Sequence, residues 1–233
     1  MRKTLVDVHW IDLDATAPDL EHWRNLLDGE ERAQAQRFRF DRDRRRYVVR
    51  HGWLRELLAR RTGGSPRDIS FFRNGFGKPS LSGGRELGFN LSHSAGKALC
   101  VVAEGLELGC DLELRDGELA TSAVAERFFS PLERIWLSSL PPDRWVEGFF
   151  NCWTRKEAYI KARGVGLSYP LDAFDVSLAP GEPAQLMRGC EGWSVQALEP
   201  APAFAAAVVA AGFDWALNLP PGLCGGERRS SAI

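Results

Sequence analysis

The sequence predicts an α+β protein built from two similar halves. In each half two helical stretches come first and strands follow. In each half the second helix ends on a basic residue and glycine, at Arg61-Thr62-Gly63 and at Arg163-Gly164. A proline-led segment comes next each time, Pro66–Phe72 and Pro170–Ser177. The repeat sets the expected division: residues 1–105, residues 106–220, and a polar, glycine-rich tail at 221–233 expected to be disordered. Apolar residues make up 44% of the 233, enough for a proper core.

Leu5–Leu13 alternates Val6, Val8 and Trp10 with Asp7, His9 and Asp12, a strand period. Pro18–Phe40 is helical around Leu20, Trp23, Leu26 and Leu27, with a break at Asp28-Gly29. Tyr47–Arg61 is a second helix that Gly63-Gly64 ends. Ile69–Phe72 is a short strand before the loop Asn74-Gly75-Phe76-Gly77-Lys78-Pro79. Gly88–Ser92, Lys97–Glu104 and Leu106–Glu113 are strands. Val124–Leu140 and Val146–Arg163 are helices, Pro170–Ser177 is a strand, and Ser194–Leu198 with Phe204–Val209 supply the last strands.

A net charge of -1 lacks the global basic field of a nucleic-acid binder. The charge is concentrated instead: ten arginines lie between Arg37 and Arg61, an anion-seeking segment. Five cysteines with no CxxC pair or zinc spacing suggest reduced thiols in a cytosolic protein. Residues 1–10 lack a long apolar core, which argues against a secretory signal. No apolar run is long enough for a membrane span.

Three segments carry chemistry. In Gly109-Cys110-Asp111-Leu112-Glu113 a strand turns Asp111 and Glu113 to one face, about 7 Å apart, and Cys110 and Leu112 to the other. Paired carboxylates suit a hard cation such as magnesium; they also suit a plain exposed strand face. In Phe89-Asn90-Leu91-Ser92-His93-Ser94 two hydroxyls and an imidazole at a strand end can donate to phosphate oxygens, or can simply form a turn. A catalytic triad would need a Gly-x-Ser-x-Gly elbow, which this chain lacks. In the third segment Trp153, Glu157 and Lys161 share a helix face, with Lys156 beside it. That spacing fits a metal-and-phosphate grip or an ordinary ion-pair ladder. Together, three carboxylates, the lysines, a histidine and an arginine-rich helix fit chemistry on a polyphosphate held by magnesium.

The order of these segments resembles the Sfp-type 4'-phosphopantetheinyl transferases. That family's signature reads Gly-x-Asp-x-Glu and, some forty residues on, Trp-x-x-Lys-Glu-Ala-x-x-Lys-x-x-Gly-x-Gly-Leu. Gly109–Glu113 and Trp153–Leu167 match it at every named position. Phe76-Gly77-Lys78-Pro79, Phe89–Ser94 and Arg127-Phe128-Phe129-Ser130 match as well, so the resemblance runs from about Arg37 to Phe174. Cys110 departs from the usual Val or Ile. It should point away from the metal and alter packing only.

The resemblance implies two α+β halves related by a pseudo-twofold axis, with coenzyme A in the cleft between them. It implies transfer of phosphopantetheine from coenzyme A to a serine of an apo acyl, peptidyl or aryl carrier protein, releasing adenosine 3',5'-bisphosphate. Asp111, Glu113 and Glu157 would hold magnesium, or manganese, on the pyrophosphate. Glu157 would also be the base for the carrier serine, directly or through water. Lys161 would stabilise the leaving phosphate, with Lys156 beside it. Ser92 and His93 would bind phosphates, Lys78 would lie near the adenine and ribose phosphate, and Arg46 would meet the 3'-phosphate, in competition with Arg44, Arg45 and Arg50. Trp153 would pack the helix. The carrier, being acidic, would seek a basic patch, with the arginine segment, Arg115, Arg127 and Arg134 as candidates. A monomer of the cytoplasm, binding neither nucleic acid nor membrane, is the expected form. The alternatives are a metal-dependent phosphohydrolase using the same site and a nucleotide- or RNA-binding module using Arg37–Arg61.

Overall fold

The computed structural model describes residues 3–14, 18–83, 86–221 and 224–225. Its elements are β1 (Thr4–Asp12), α1 (Pro18–Leu26), α2 (Gly29–Gln36), α3 (Asp41–Thr62), β2 (Phe71–Arg73), β3 (Pro79–Leu81), β4 (Leu87–Ser94), β5 (Lys97–Glu104) and β6 (Leu108–Leu114). Then come α4 (Ser122–Phe128), α5 (Pro131–Ser139), α6 (Trp145–Arg163), β7 (Trp193–Glu199), β8 (Phe204–Ala211), β9 (Trp215–Asn218) and β10 (Cys224–Gly225). One four-stranded sheet has the order β4-β5-β1-β9, a second the order β10-β7-β8-β6, and β2 pairs with β3.

The strands explain the layering. Ala98–Ala103 on β5 is an unbroken apolar run, as a strand covered on both faces requires. Leu99 and Val101 join Val6, Val8, Cys110, Leu112, Ala206 and Val208 in a core between the sheets. Cys100 and Val102 face outward, against Leu54, Leu57 and Leu58 of α3. On the far side Ala205, Ala207 and Val209 of β8 meet Ala158, Tyr159 and Ile160 of α6. The order is helix, sheet, sheet, helix, and the α+β class with two similar halves holds.

The repeat extends to single side chains. α3 and α6 both end on a left-handed glycine, Gly63 (φ 68°) and Gly164 (φ 66°). Eight residues before each stands a fully buried cation, Arg55 or Lys156. Arg55 donates to Glu31 at 2.7 Å and to the Ile69 carbonyl at 2.7 Å. Lys156 pairs with Glu133 at 2.8 Å and donates to the Leu171 and Phe174 carbonyls at 2.6 and 2.7 Å. Each glutamate is the third residue of a capping box, Asp28–Glu31 on α2 and Ser130–Glu133 on α5. In both halves one buried ion pair thus ties the capped helix, the long helix and the segment after it.

Several expected elements differ. Val124–Leu140 is two helices, because Ser130 caps a new one and Pro131 fills its first turn. Pro170–Ser177 is not a strand: Leu171–Ala173 forms a 3-10 turn, and only Val176 bridges, to Leu186. The carbonyls a strand would use are taken by Lys156. Pro66 likewise opens a 3-10 turn, at Pro66–Asp68. Trp215–Asn218 lies parallel to β1, so the chain's last quarter returns to the first sheet. Within the expected disordered tail, Cys224 and Gly225 pair with Glu199 and Leu198 of β7; residues 222, 223 and 226–233 lie outside the described residues. Cys100, Cys110, Cys152 and Cys190 are free and buried. Among the described residues no helix is long and apolar enough to cross a membrane.

The β4–β5 turn carries one strained residue. Ala95 (φ 45°) precedes Gly96 (φ 83°), the two-residue turn with both centres left-handed. A Cβ is disfavoured there. Ala95→Gly is expected to raise stability by about 0.5–1 kcal/mol, part of the relief being lost to the freer unfolded chain. A higher urea midpoint at unchanged slope would show it.

Candidate active site

α6 lies very close to the second sheet because small residues line the contact. A Cβ built on Gly109 would fall 2.2 Å from the Ala162 nitrogen and 2.4 Å from the Ala158 carbonyl oxygen. This approach brings Glu157 and Lys161 over Asp111 and Glu113 of β6. Lys161 Nζ lies 2.6 Å from Asp111 Oδ1 and 3.1 Å from Ser92 Oγ, and Ser92 donates to the same Asp111 oxygen at 2.8 Å. Asp111 is 2% exposed, and its other oxygen, Oδ2, is buried with no partner. Ser94 donates to Glu113 Oε2 at 2.9 Å and accepts from the Leu114 N–H at 3.1 Å. Glu157 receives no hydrogen bond from the described residues.

The charges here compete. Burial and then the Asp111 charge push the Glu157 carboxyl up to about 7, although Lys161 pulls it down. Burial and Asp111 also raise Glu113. Burial would depress Lys161, but the Asp111 charge and hydrogen bond outweigh it and its pKa rises. The described residues hold no preformed cluster of three ligating side chains. Lys161 neutralises Asp111 in its place.

Beside this acidic seam lies a cavity of about 900 Å³ whose lining includes Arg37, Tyr47, Arg50, His51, Arg73 and His93. Burial lowers Arg50 to about 10. Its guanidinium lies over the Tyr47 ring (5.5 Å) and 3.5 Å from His51 Nε2. Asp28, Glu30 and Glu31 also line the cavity, and Arg55 satisfies Asp28 and Glu31. His93 opens toward it; desolvation within the cleft and then Arg50 and Lys161 press its pKa down to about 4. A site that holds this imidazole neutral and, among the described residues, leaves Arg50 without a carboxylate suits an anion.

The arginine competition narrows. Arg44 and Arg45 turn to Asp41. Arg46 grips Asp14 through two hydrogen bonds, 2.6 and 2.5 Å, beside the Ala95-Gly96 turn. Arg46 and Arg50 are the two that act on His93.

One sequence assignment is corrected. Lys156 is not available to a cofactor, since its ammonium is fully buried between Glu133 and two carbonyls, over the Phe174 ring at 4.2 Å. Lys78 donates to the Leu108 and Ala162 carbonyls at 3.0 and 2.7 Å, pinning β6 to α6. Trp153 packs as expected, against Phe149 and Phe128. Cys110 points into the inter-sheet core. The sequence reading gave no role to Arg73 or His51, which reach the cavity from separate elements, nor a distinct one to Ser94, although Asn90, Ser92 and Ser94 alternate along one strand face.

Carboxylates gathered around one lysine, next to a basic cavity, suit chemistry on a polyanionic substrate. Comparison with known proteins is specific. A model of the 4'-phosphopantetheinyl transferase superfamily matches residues 107–209, and one of the N-terminal part of 4'-phosphopantetheinyl transferases matches residues 12–105. The chain is 40% identical over 215 residues to the 4'-phosphopantetheinyl transferase HetI of Nostoc sp., covering 90% of each protein. It is 33% identical over 170 residues to a 4'-phosphopantetheinyl transferase of Bacillus subtilis, covering 72% of this chain and 74% of that one. To Sfp of the same species it is 29% identical over 169 residues, with the same coverage. The chain belongs to the 4'-phosphopantetheinyl transferase superfamily.

Proposed function

We propose that this enzyme transfers 4'-phosphopantetheine from coenzyme A to a serine hydroxyl of an apo acyl, peptidyl or aryl carrier protein, acting as a cytoplasmic monomer. Adenosine 3',5'-bisphosphate leaves. The observation that carries this reading is the convergence of Asp111, Glu113, Glu157 and Lys161 beside a basic cavity, in a chain of this family.

Magnesium or manganese fits the donor set. Asp111, Glu113 and Glu157 offer only hard oxygens, and Asp111 Oδ2 is a buried acceptor with no partner among the described residues. A bound divalent cation would offset the charge that builds on the pyrophosphate. The chain's own groups account for the rest. Glu157, whose carboxyl burial and the Asp111 charge raise in the metal-free site, accepts the proton of the incoming serine hydroxyl, directly or through a water. Lys161 moves from Asp111 to the pyrophosphate and stabilises the departing phosphate oxygen. His93 and Arg50, which line the cavity, hold the nucleotide's phosphates together with Arg46, whose charge acts on His93, and Ser92 steadies Lys161. The oxygen of the serine bonds to the β-phosphorus as the bond to the bridging oxygen breaks, so positioning and charge dominate.

Mass spectrometry of an apo carrier mixed with the enzyme, coenzyme A and magnesium tests this. A gain of about 340 Da on one serine, the mass of the phosphopantetheine group, is expected. No change on acyl, peptidyl and aryl carriers would overturn the reading. Release of bisphosphate from coenzyme A without a carrier would show a hydrolase instead.

A further inference from the structure

The two sheets meet along β4 and β6, strands that belong to different sheets. Side chains of β4 make the join. Asn90 accepts the Cys110 N–H at 2.8 Å, Ser92 donates to Asp111, and Ser94 bridges Glu113 and Leu114. Ser92 and Ser94 are spaced two apart, matching Asp111 and Glu113, so each hydroxyl meets one carboxylate, while Asn90 meets the backbone. The carboxylates are on one half of the molecule and their hydroxyl partners on the other.

We propose that Ser94 is a positioning residue, reaching across this seam to hold Glu113 in the orientation that lets it share a divalent cation with Asp111. The proposal rests on the metal-dependent reading above and assigns a residue to which that reading gives no part. Ser94's single hydroxyl proton goes to Glu113 Oε2 while its lone pair takes the Leu114 N–H. Both ends of the hydroxyl are therefore fixed, and Oε2 is anchored, while Glu113 Oε1 takes no hydrogen bond from the described residues. The base of the tether is rigid too. Ser94 pairs with Lys97 across the two-residue turn, and Arg46 packs against Gly96 in that turn. Ser92 is a poorer subject, because it also meets Lys161. Ser94 touches one carboxylate and one backbone amide, so its loss has a single chemical meaning. Glu157, with no such tether, keeps the freedom that a proton acceptor needs.

The test is Mn2+ binding to the full chain, read from the free-ion signal by electron paramagnetic resonance, for wild type, Ser94→Ala and Ser94→Thr. Loss of a hydrogen bond behind a metal ligand weakens metal affinity by about 10–100-fold. Ser94→Ala is expected to bind Mn2+ at least about tenfold more weakly. Ser94→Thr keeps the hydroxyl and restores the affinity. In transfer assays Ser94→Ala should require more Mn2+ for half-maximal rate, recover its rate at high Mn2+, and keep its KM for coenzyme A. Equal Mn2+ affinity in wild type and Ser94→Ala would overturn the proposal. So would a rate lost at every Mn2+ concentration together with a lowered melting temperature, which marks a purely structural role. A wild type that transfers phosphopantetheine but binds no Mn2+ would remove this proposal and leave the reaction standing. A wild type that binds Mn2+ but labels no carrier would overturn the reaction alone.

Discussion

Glu157→Gln is expected to fold, to gain stability above neutral pH, and to transfer phosphopantetheine about a thousandfold more slowly or worse, the range expected for loss of a general base. The stability part follows from linkage. The carboxyl's pKa rises from 4.5 to about 7 on folding, through burial first and the Asp111 charge second. Between those values the folded state holds more protons than the unfolded one, so stability falls as pH rises through the window. Above pH 7 the whole penalty is present. Glutamine is neutral at every pH and removes it, a gain of roughly 1–3 kcal/mol after allowance for the group's partial exposure. Below pH 4.5 both variants hold a neutral side chain and should have nearly equal stability.

Transfer moves in the opposite direction. Glutamine keeps the shape but can neither take the serine proton nor offer an anionic oxygen beside Asp111 and Glu113. Thermal melts at pH 5 and pH 8, with carrier labelling at pH 7.5, separate the two effects. A variant that labels a carrier within about tenfold of wild type would exclude Glu157 from the chemistry, since a positioned base alone contributes at least about a hundredfold. A variant less stable than wild type at pH 8 would mean that the carboxylate is held by favourable contacts, contrary to its lack of hydrogen bonds.

What the sequence made legible was local in period. Asp111 and Glu113 are two apart on a strand, and Glu157 and Lys161 four apart on a helix, so pattern alone places each pair on a face. Lys156 was illegible for the same reason. It is one residue from Glu157, yet it turns about 100° away, toward Glu133, a partner 23 residues earlier. The repeat itself held the missing signal. Arg55 stands eight residues before its helix-ending glycine, as Lys156 does, and both follow a capping-box glutamate. The break at Ser130 was also written locally, as Ser-Pro-x-Glu, but the apolar period running through 124–140 concealed it. The basic cavity could not be read from any one segment. It is assembled from α2, α3, β2, β3 and β4, and only the folded chain brings Arg50, Arg73 and His93 around one cavity.

Gly109→Ala is expected to cost about 3 kcal/mol or more in stability, and to cut transfer at least about a hundredfold under conditions where the protein remains folded. The backbone does not demand glycine here, because Gly109 has no positive φ. Space demands it. The added methyl would sit 2.2 Å from the Ala162 nitrogen, 2.4 Å from the Ala158 oxygen and 2.8 Å from the Ala162 Cα. These are backbone atoms of α6, and no rotamer change moves them aside. α6 must lift off β6, by roughly an ångström to restore ordinary contact. Lys78, which ties the Leu108 and Ala162 carbonyls across the same contact, resists that movement. Lys161 rides on the displaced turn and leaves its 2.6 Å contact with Asp111, and Glu157 withdraws from both β6 carboxylates. The first glycine of the motif therefore acts at a distance from the chemistry, by setting how near the helix comes to the strand. The double variant Gly109→Ala, Ala162→Gly sharpens the test. Removing the Ala162 side chain leaves the clashing nitrogen and Cα in place, so neither stability nor transfer should return. Recovery in that double variant would show that side-chain crowding, and not the approach of the helix backbone, is what Gly109 relieves.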